Sequence, residues 1–141
     1  MVVVPSFELP HRLRFRVLDE KFAVCQLPAG SAIPQWATGD RFFSVTQTSG
    51  ELSIVCEQRR VPAGVRLEAD WVALKLEGPF PFAMTGVLAS FLQPLAQAGI
   101  PIFAVSTFDT DDVPLQHEKL EQALHALKAA EHELQAPVRE T

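Results

Sequence analysis

Apolar residues in the first sixty positions fall into short runs separated by turn formers, the pattern of strands rather than helices. Leu13–Leu18 and Phe22–Leu27, with Asp19-Glu20-Lys21 between them, predict one hairpin, and Phe42–Thr48 and Glu51–Glu57 flanking Ser49-Gly50 predict a second. No long helix is expected before Pro62. Residues 58–70 are polar and carry Pro62 and Gly64, and they read as a connection between two halves.

Beyond that connection the period changes. Trp71–Glu77 alternates as a strand and Gly78-Pro79-Phe80-Pro81 stops it. Met84, Val87, Leu88, Phe91, Leu92 and Leu95 then recur at helical spacing, with Gly99 as the stop and Pro94 as a defect in the last turn. Ile100–Ser106 is a nearly continuous apolar run, expected of a central strand. Asp112–Leu115 is a shorter strand that its proline would place at an edge. Leu120, Ala123, Leu124, Leu127, Ala130 and Leu134 form a second amphipathic stripe, and the tail after Ala136 reads as frayed.

Strand, helix, strand, strand, helix is a ferredoxin-like βαββαβ unit short of its last strand. The fold class expected is therefore α+β, with a C-terminal unit at 65–135 interlocked in one mixed sheet with a strand-rich N-terminal half at 1–64, and a flexible tail at 136–141. The first half is the obvious donor of the missing strand.

Composition narrows the function. The 141 residues carry a formal net charge of -5, from 12 basic and 17 acidic side chains, so a nucleic-acid partner is not expected. Arg12-Leu13-Arg14-Phe15-Arg16 reads as one solvated strand face. Neither a signal peptide nor a membrane-spanning run is legible, which points to a cytoplasmic protein. Cys25 and Cys56 lie inside apolar runs, without a CxxC pair or neighbouring cations, and are expected to be inert core thiols.

Two features have chemical potential, and the predicted fold brings them to one end of the sheet. The first is the helix start at Met84, Thr85, Gly86 and Val87, where unpaired backbone N–H groups and the helix dipole suit a carboxylate. Thr85 serves equally well as a plain N-cap. The second is the strand end at Ser106, Thr107, Phe108, Asp109, Thr110, Asp111 and Asp112, whose carboxylates suit an ammonium or guanidinium group. Those aspartates also suit a turn, or more remotely a divalent cation. His11, His117, His125 and His132 make no recognisable ligand set and are expected on a solvated face. No serine elbow or phosphate loop is present, so no catalytic residue, cofactor or metal is assigned.

Several ordered stretches, among them Phe22–Pro28, Phe43–Thr48, Glu51–Cys56, Leu74–Pro79 and Ile102–Asp111, resemble the small prokaryotic tandem ACT proteins, relatives of the ACT modules of eukaryotic cytosolic arginine sensors. The resemblance spans roughly Phe22 to Leu127. It implies a regulatory or sensor protein without catalytic activity that binds an amino acid or similar metabolite between paired modules, as a homodimer with a regulated protein partner. The ligand-facing residues it implies are Met84, Thr85, Gly86 and Val87, with Thr107, Phe108 and Asp111 on the neighbouring strand end; the acidic cluster adds Asp109 as a candidate. In the arginine sensors one acidic residue matches Asp111 and another falls where this chain has Met84. A cationic ligand would lose that carboxylate here, so a neutral or apolar amino acid is implied as readily. The alternative is a protein-interaction module that kept the fold and lost the ligand.

Overall fold

A computed structural model describes residues 11–39, 41–80 and 86–136. These form eight strands and two α-helices: β1 (Arg14–Val17), β2 (Phe22–Pro28), β3 (Ser44–Gln47), β4 (Glu51–Glu57), β5 (Arg66–Leu76), α1 (Val87–Gln97), β6 (Val105–Ser106), β7 (Asp111–Gln116), α2 (Leu120–Ala129) and β8 (Glu133–Leu134). By contacts the chain divides into two units. One runs up to Leu18 and resumes at Ala73; the other is Asp19–Val72. The second boundary, between Val72 and Ala73, falls within the residues of β5, and the expected mixed α+β architecture is present.

The unit at Asp19–Val72 is a meander of strands in the order β3-β4-β2-β5. The hairpin predicted about Ser49-Gly50 is there, with Thr46 opposite Ser53 and Gln47 opposite Leu52. The Thr48 hydroxyl accepts from the amides of Gly50 and Glu51 at 3.1 and 3.2 Å, which closes the turn. Strict alternation on β2 and β4 places Ala23, Cys25, Leu52, Ile54 and Cys56 on one face, and they form a buried core with Ala37. Both cysteines are free thiols. Burial raises the pKa of Cys25 and pushes that of Cys56 up to about 12, so neither thiolate forms near neutrality.

The other unit holds both helices. β5 pairs with β7, β7 with β6, and β1 lies between β5 and β8. This is the ferredoxin-like strand arrangement with one strand inserted, β1 standing between the first strand of the motif and its last. Leu13, Phe15, Leu74, Leu76, Val113 and Leu115 meet Phe91, Leu95, Ala123 and Leu127 in the core. The rings of Phe15 and Phe91 pack edge to face with centroids 5.2 Å apart. On the opposite side of β1, Arg12 and Arg14 reach solvent beside Glu131 and Glu133, as the alternation predicts.

Five sequence expectations are corrected. β1 and β2 form no hairpin with each other. Both pair antiparallel with β5, β1 through Phe15↔Leu76 and β2 through Phe22↔Trp71. The polar stretch read as a connection already contains the start of β5 at Arg66. Ile100–Ser106 is not a central strand: only Val105–Ser106 is a strand, joined to β7 on one side, with an isolated bridge between Ile102 and Leu115. β7 in turn is no edge strand but lies between β5 and β6, with Pro114 fully buried. The register running from Val105↔Asp112 to Ile102↔Leu115 sets Phe103 opposite Pro114, whose missing N–H cannot complete the ladder. Finally, the second helix ends at Ala129, and the last strand of the motif, expected to be missing, exists as two residues, Glu133–Leu134, paired parallel with β1. The predicted tail beyond Ala136 lies outside the described residues.

Candidate ligand-binding site

The start of α1 and the β6–β7 hairpin enclose a cleft of about 300 Å³ within the helix-bearing unit. Phe80, Gly86, Val87, Leu88 and Ala89 form one wall and Ser106 to Asp111 the other. Of the residues singled out from sequence, Gly86, Val87, Thr107, Phe108, Asp109 and Asp111 therefore line one cavity. Met84 and Thr85 lie outside the described residues.

Gly86 is the N-cap of α1 in the left-handed conformation, with φ at 79°. Glycine adopts this backbone without the Cβ penalty other residues carry. Gly86 has no side chain to cap the first turn, which also holds no acidic residue, so among the described residues neither device neutralises its positive end. The Gly86 carbonyl accepts the first helical bond, from the Ser90 amide at 2.9 Å, and the Ser90 hydroxyl adds a second at 2.7 Å. The helix thus presents its early amides toward the cleft from a doubly anchored turn.

The opposite wall is a tight hairpin tip. The Thr107 amide and hydroxyl both donate to the Thr110 carbonyl, at 2.8 and 3.0 Å. The tip is braced from outside: the Thr110 hydroxyl donates to the Leu76 carbonyl at 2.8 Å and the Phe80 amide to the Asp109 carbonyl at 2.9 Å. The Asp111 carboxylate accepts from the Ser106 hydroxyl, fixing one of its oxygens while the residue keeps partial exposure. Phe108 stands at the tip 78% exposed.

Asp112 does not join this wall. Successive strand residues face opposite ways, and Asp112 is buried, with Oδ1 lacking any hydrogen-bond partner. Burial raises its pKa to about 6, Lys75 opposing and Asp111 reinforcing the shift. Asp109, Asp111 and Asp112 accordingly do not converge, and among the described residues no group of three metal-ligating side chains does.

Phe80, Leu88 and Ala89 line the cleft without having been singled out for chemistry. Gly78-Pro79-Phe80 carried the available signal: it reads as a strand stop, while in space it is the strut behind the hairpin tip. His132 is the other miss, since it is buried in the core rather than solvated.

The fold belongs to a known class of module. The family model for the ACT domain matches residues 66–129, and an N-terminal domain model matches residues 20–64. A crystal structure of a protein from Agrobacterium tumefaciens is similar over 94% of this chain and 98% of its own, with 39% identity and a TM-score of 0.87. The chain belongs to the ACT-domain family. Human CASTOR3P is 29% identical over an alignment of 102 positions that covers 63% of this chain and 63% of that protein. The regulatory subunit of aspartate kinase from Thermus flavus shares the fold, with a TM-score of 0.58 at 15% identity, covering 82% of this chain and 95% of that one. No described helix is long and apolar enough to cross a membrane.

Proposed function

We propose that this chain is an amino-acid-binding regulatory protein that carries out no reaction itself and uses the α1 cleft as its ligand site. The observation that carries this reading is the meeting, in one cleft, of a glycine-capped helix start with the half-exposed carboxylate of Asp111. A zwitterion has complementary ends. Its carboxylate would take the amides of the first turn and its ammonium group the free edge of Asp111. The ACT-domain membership supports a ligand-responsive unit over an enzyme, and the resemblance to the arginine sensors makes amino acids the first class to try.

With Met84 in place of a second acidic residue, a ligand with a neutral or apolar side chain suits the site as readily as one with a guanidinium. Phe108, at 78% exposure beside the cleft, suits either an apolar ligand side chain or the face of a partner. Free, buried Cys25 and Cys56 accord with work in the reducing cytoplasm, and a homodimer would close the site from a second copy.

Thermal unfolding against a panel of the common amino acids tests the reading. A ligand present at about 100 times its Kd adds about 2.7 kcal/mol to the folded state. A selective shift in Tm that Asp111→Ala abolishes is the expected outcome. A flat panel, or a shift that survives Asp111→Ala and Gly86→Val together, would sink the site and leave the protein-interaction reading, in which Phe108 anchors a partner.

A further inference from the structure

Pro94 is four residues beyond Ser90 in α1 and has no N–H, so the Ser90 carbonyl lacks the donor an uninterrupted helix would give it. A side chain distant in sequence supplies it. His132 Nε2 lies 2.9 Å from the Ser90 carbonyl oxygen, and its Nδ1 lies 3.1 Å from the backbone nitrogen of Leu13. The Leu13 amide can only donate, so Nδ1 must accept and Nε2 must carry the proton. The ring is therefore neutral and fixed in one tautomer. It is 96% buried, since only 4% of its surface is exposed, and it packs 5.4 Å from the ring of Phe91.

The backbone is shaped to place it there. Glu131, the residue before it, takes a left-handed conformation with φ at 69°, at the end of α2 where glycine is the usual occupant. The His132 amide bonds back to the Leu127 carbonyl at 3.0 Å, and the following amide, of Glu133, bonds to the Leu13 carbonyl at 2.8 Å. His132 thus ties the end of α2, the approach to β1 and the first turns of α1 at one point.

We propose that His132 is a proton-sensitive latch, whose neutral imidazole joins the Leu13 amide to the carbonyl that Pro94 orphans, and whose protonation breaks the bond to Leu13 and frees the β1–β8 edge. A protonated Nδ1 would set one donor against another. The effect reaches the cleft through Ser90, whose hydroxyl accepts from the His11 amide at 3.0 Å while donating to the Gly86 carbonyl at 2.7 Å. Losing the Leu13 bond loosens the chain at His11, and with it the anchor of the helix start.

Other charges around the ring are few. α1 carries no titratable side chain. The segment leading into β1 brings His11, Arg12 and Arg14; α2 and its end bring exposed His125, Lys128 and Glu131; β8 brings Glu133. Arg12 pairs with Glu131 at 2.8 Å and Arg14 stands 4.0 Å from Glu133, both pairs largely solvated. Burial lowers the pKa of His132 below its ordinary 6.5, and the bond to the Ser90 carbonyl pulls weakly the other way.

Hydrogen exchange at the Leu13 amide, corrected for intrinsic rates, tests the latch in the full chain. Protection should fall by up to tenfold for each unit of pH below the ordinary imidazole range. In His132→Asn, which offers a non-titrating acceptor, it should stay level. Level protection in the unaltered protein, or an unchanged slope in the variant, overturns the proposal. Should the variant not fold, nitrogen NMR of the unaltered imidazole decides: a neutral ring protonated only at Nε2 at pH 7 is expected, and a charged ring or the opposite tautomer refutes it. Pro94→Ala restores the helical donor to Ser90, so the cost of His132→Phe should shrink in that background; equal costs in both would overturn the role given to Pro94.

Discussion

Gly78 shows how one missing side chain shapes the cleft. A Cβ there would lie 2.8 Å from the Asp109 carbonyl oxygen and 3.1 Å from the Cβ of Thr110. Neither neighbour is free to retreat, because the Asp109 carbonyl accepts from the Phe80 amide and the Thr110 hydroxyl is bonded to Leu76. Overpacking against fixed backbone costs about 1–3 kcal/mol. Gly78→Ala should lower the urea midpoint by a corresponding amount and displace the hairpin tip that carries Thr107 to Asp111. An unchanged midpoint would mean that the tip moves without resistance, and the cleft's far wall would then not be preorganised.

α1 illustrates what the chain's periodicity reveals and what it conceals. The stripe Val87, Phe91, Leu95 was legible and is buried, because helical spacing and burial obey the same geometry. The alternation of β1, β2 and β4 was legible for the same reason. Partner choice was not: Asp19-Glu20-Lys21 has the composition of a hairpin turn, yet β5 offers a longer antiparallel partner to the strands on both sides of it. Pro114 marked a disturbed ladder correctly, but the ladder it disturbs is that of β6, since the sequence does not say which side of a strand faces the missing donor. The cleft was half legible. Gly86 and Asp111 carried chemical signals, whereas Phe80 acts through a long-range contact that leaves no local pattern. Ser90 is another such residue, reading as a polar interruption of the stripe while being 98% buried, given an exposure of 2%. Ser90→Ala removes the acceptor of the His11 amide and the second bond to Gly86, and should cost about 1–2 kcal/mol in chemical denaturation. It should also reduce any amino-acid-induced Tm shift, because the helix start would lose one of its two anchors. A variant as stable as the original would show that water replaces both bonds.

For the molecule as a whole, two buried titratable groups oppose each other in pH. His132 has a folded pKa below its ordinary 6.5, so the unfolded chain binds the proton more readily. Its contribution to stability is complete above about pH 6.5 and is lost as the pH falls through that value toward the folded pKa. Asp112 works with the other sign. Its folded pKa of about 6 exceeds the ordinary 3.8, so the folded chain holds the proton more tightly. Stability from this group is complete below about pH 4 and is lost as the pH rises toward 6, by an amount on the order of 3 kcal/mol. Removing either group should expose the slope of the other. Asp112→Asn should raise Tm at pH 8, leave it nearly unchanged at pH 4, and steepen the loss of stability on acidification below pH 6.5. His132→Asn should do the reverse, leaving a protein whose stability declines from pH 4 to pH 6. Thermal unfolding of the three proteins across this range measures both slopes. Parallel curves would mean that neither group's pKa differs between the folded and the unfolded chain, and would dissociate the acid response of the chain from the residues that pack β1, β7 and α1 together.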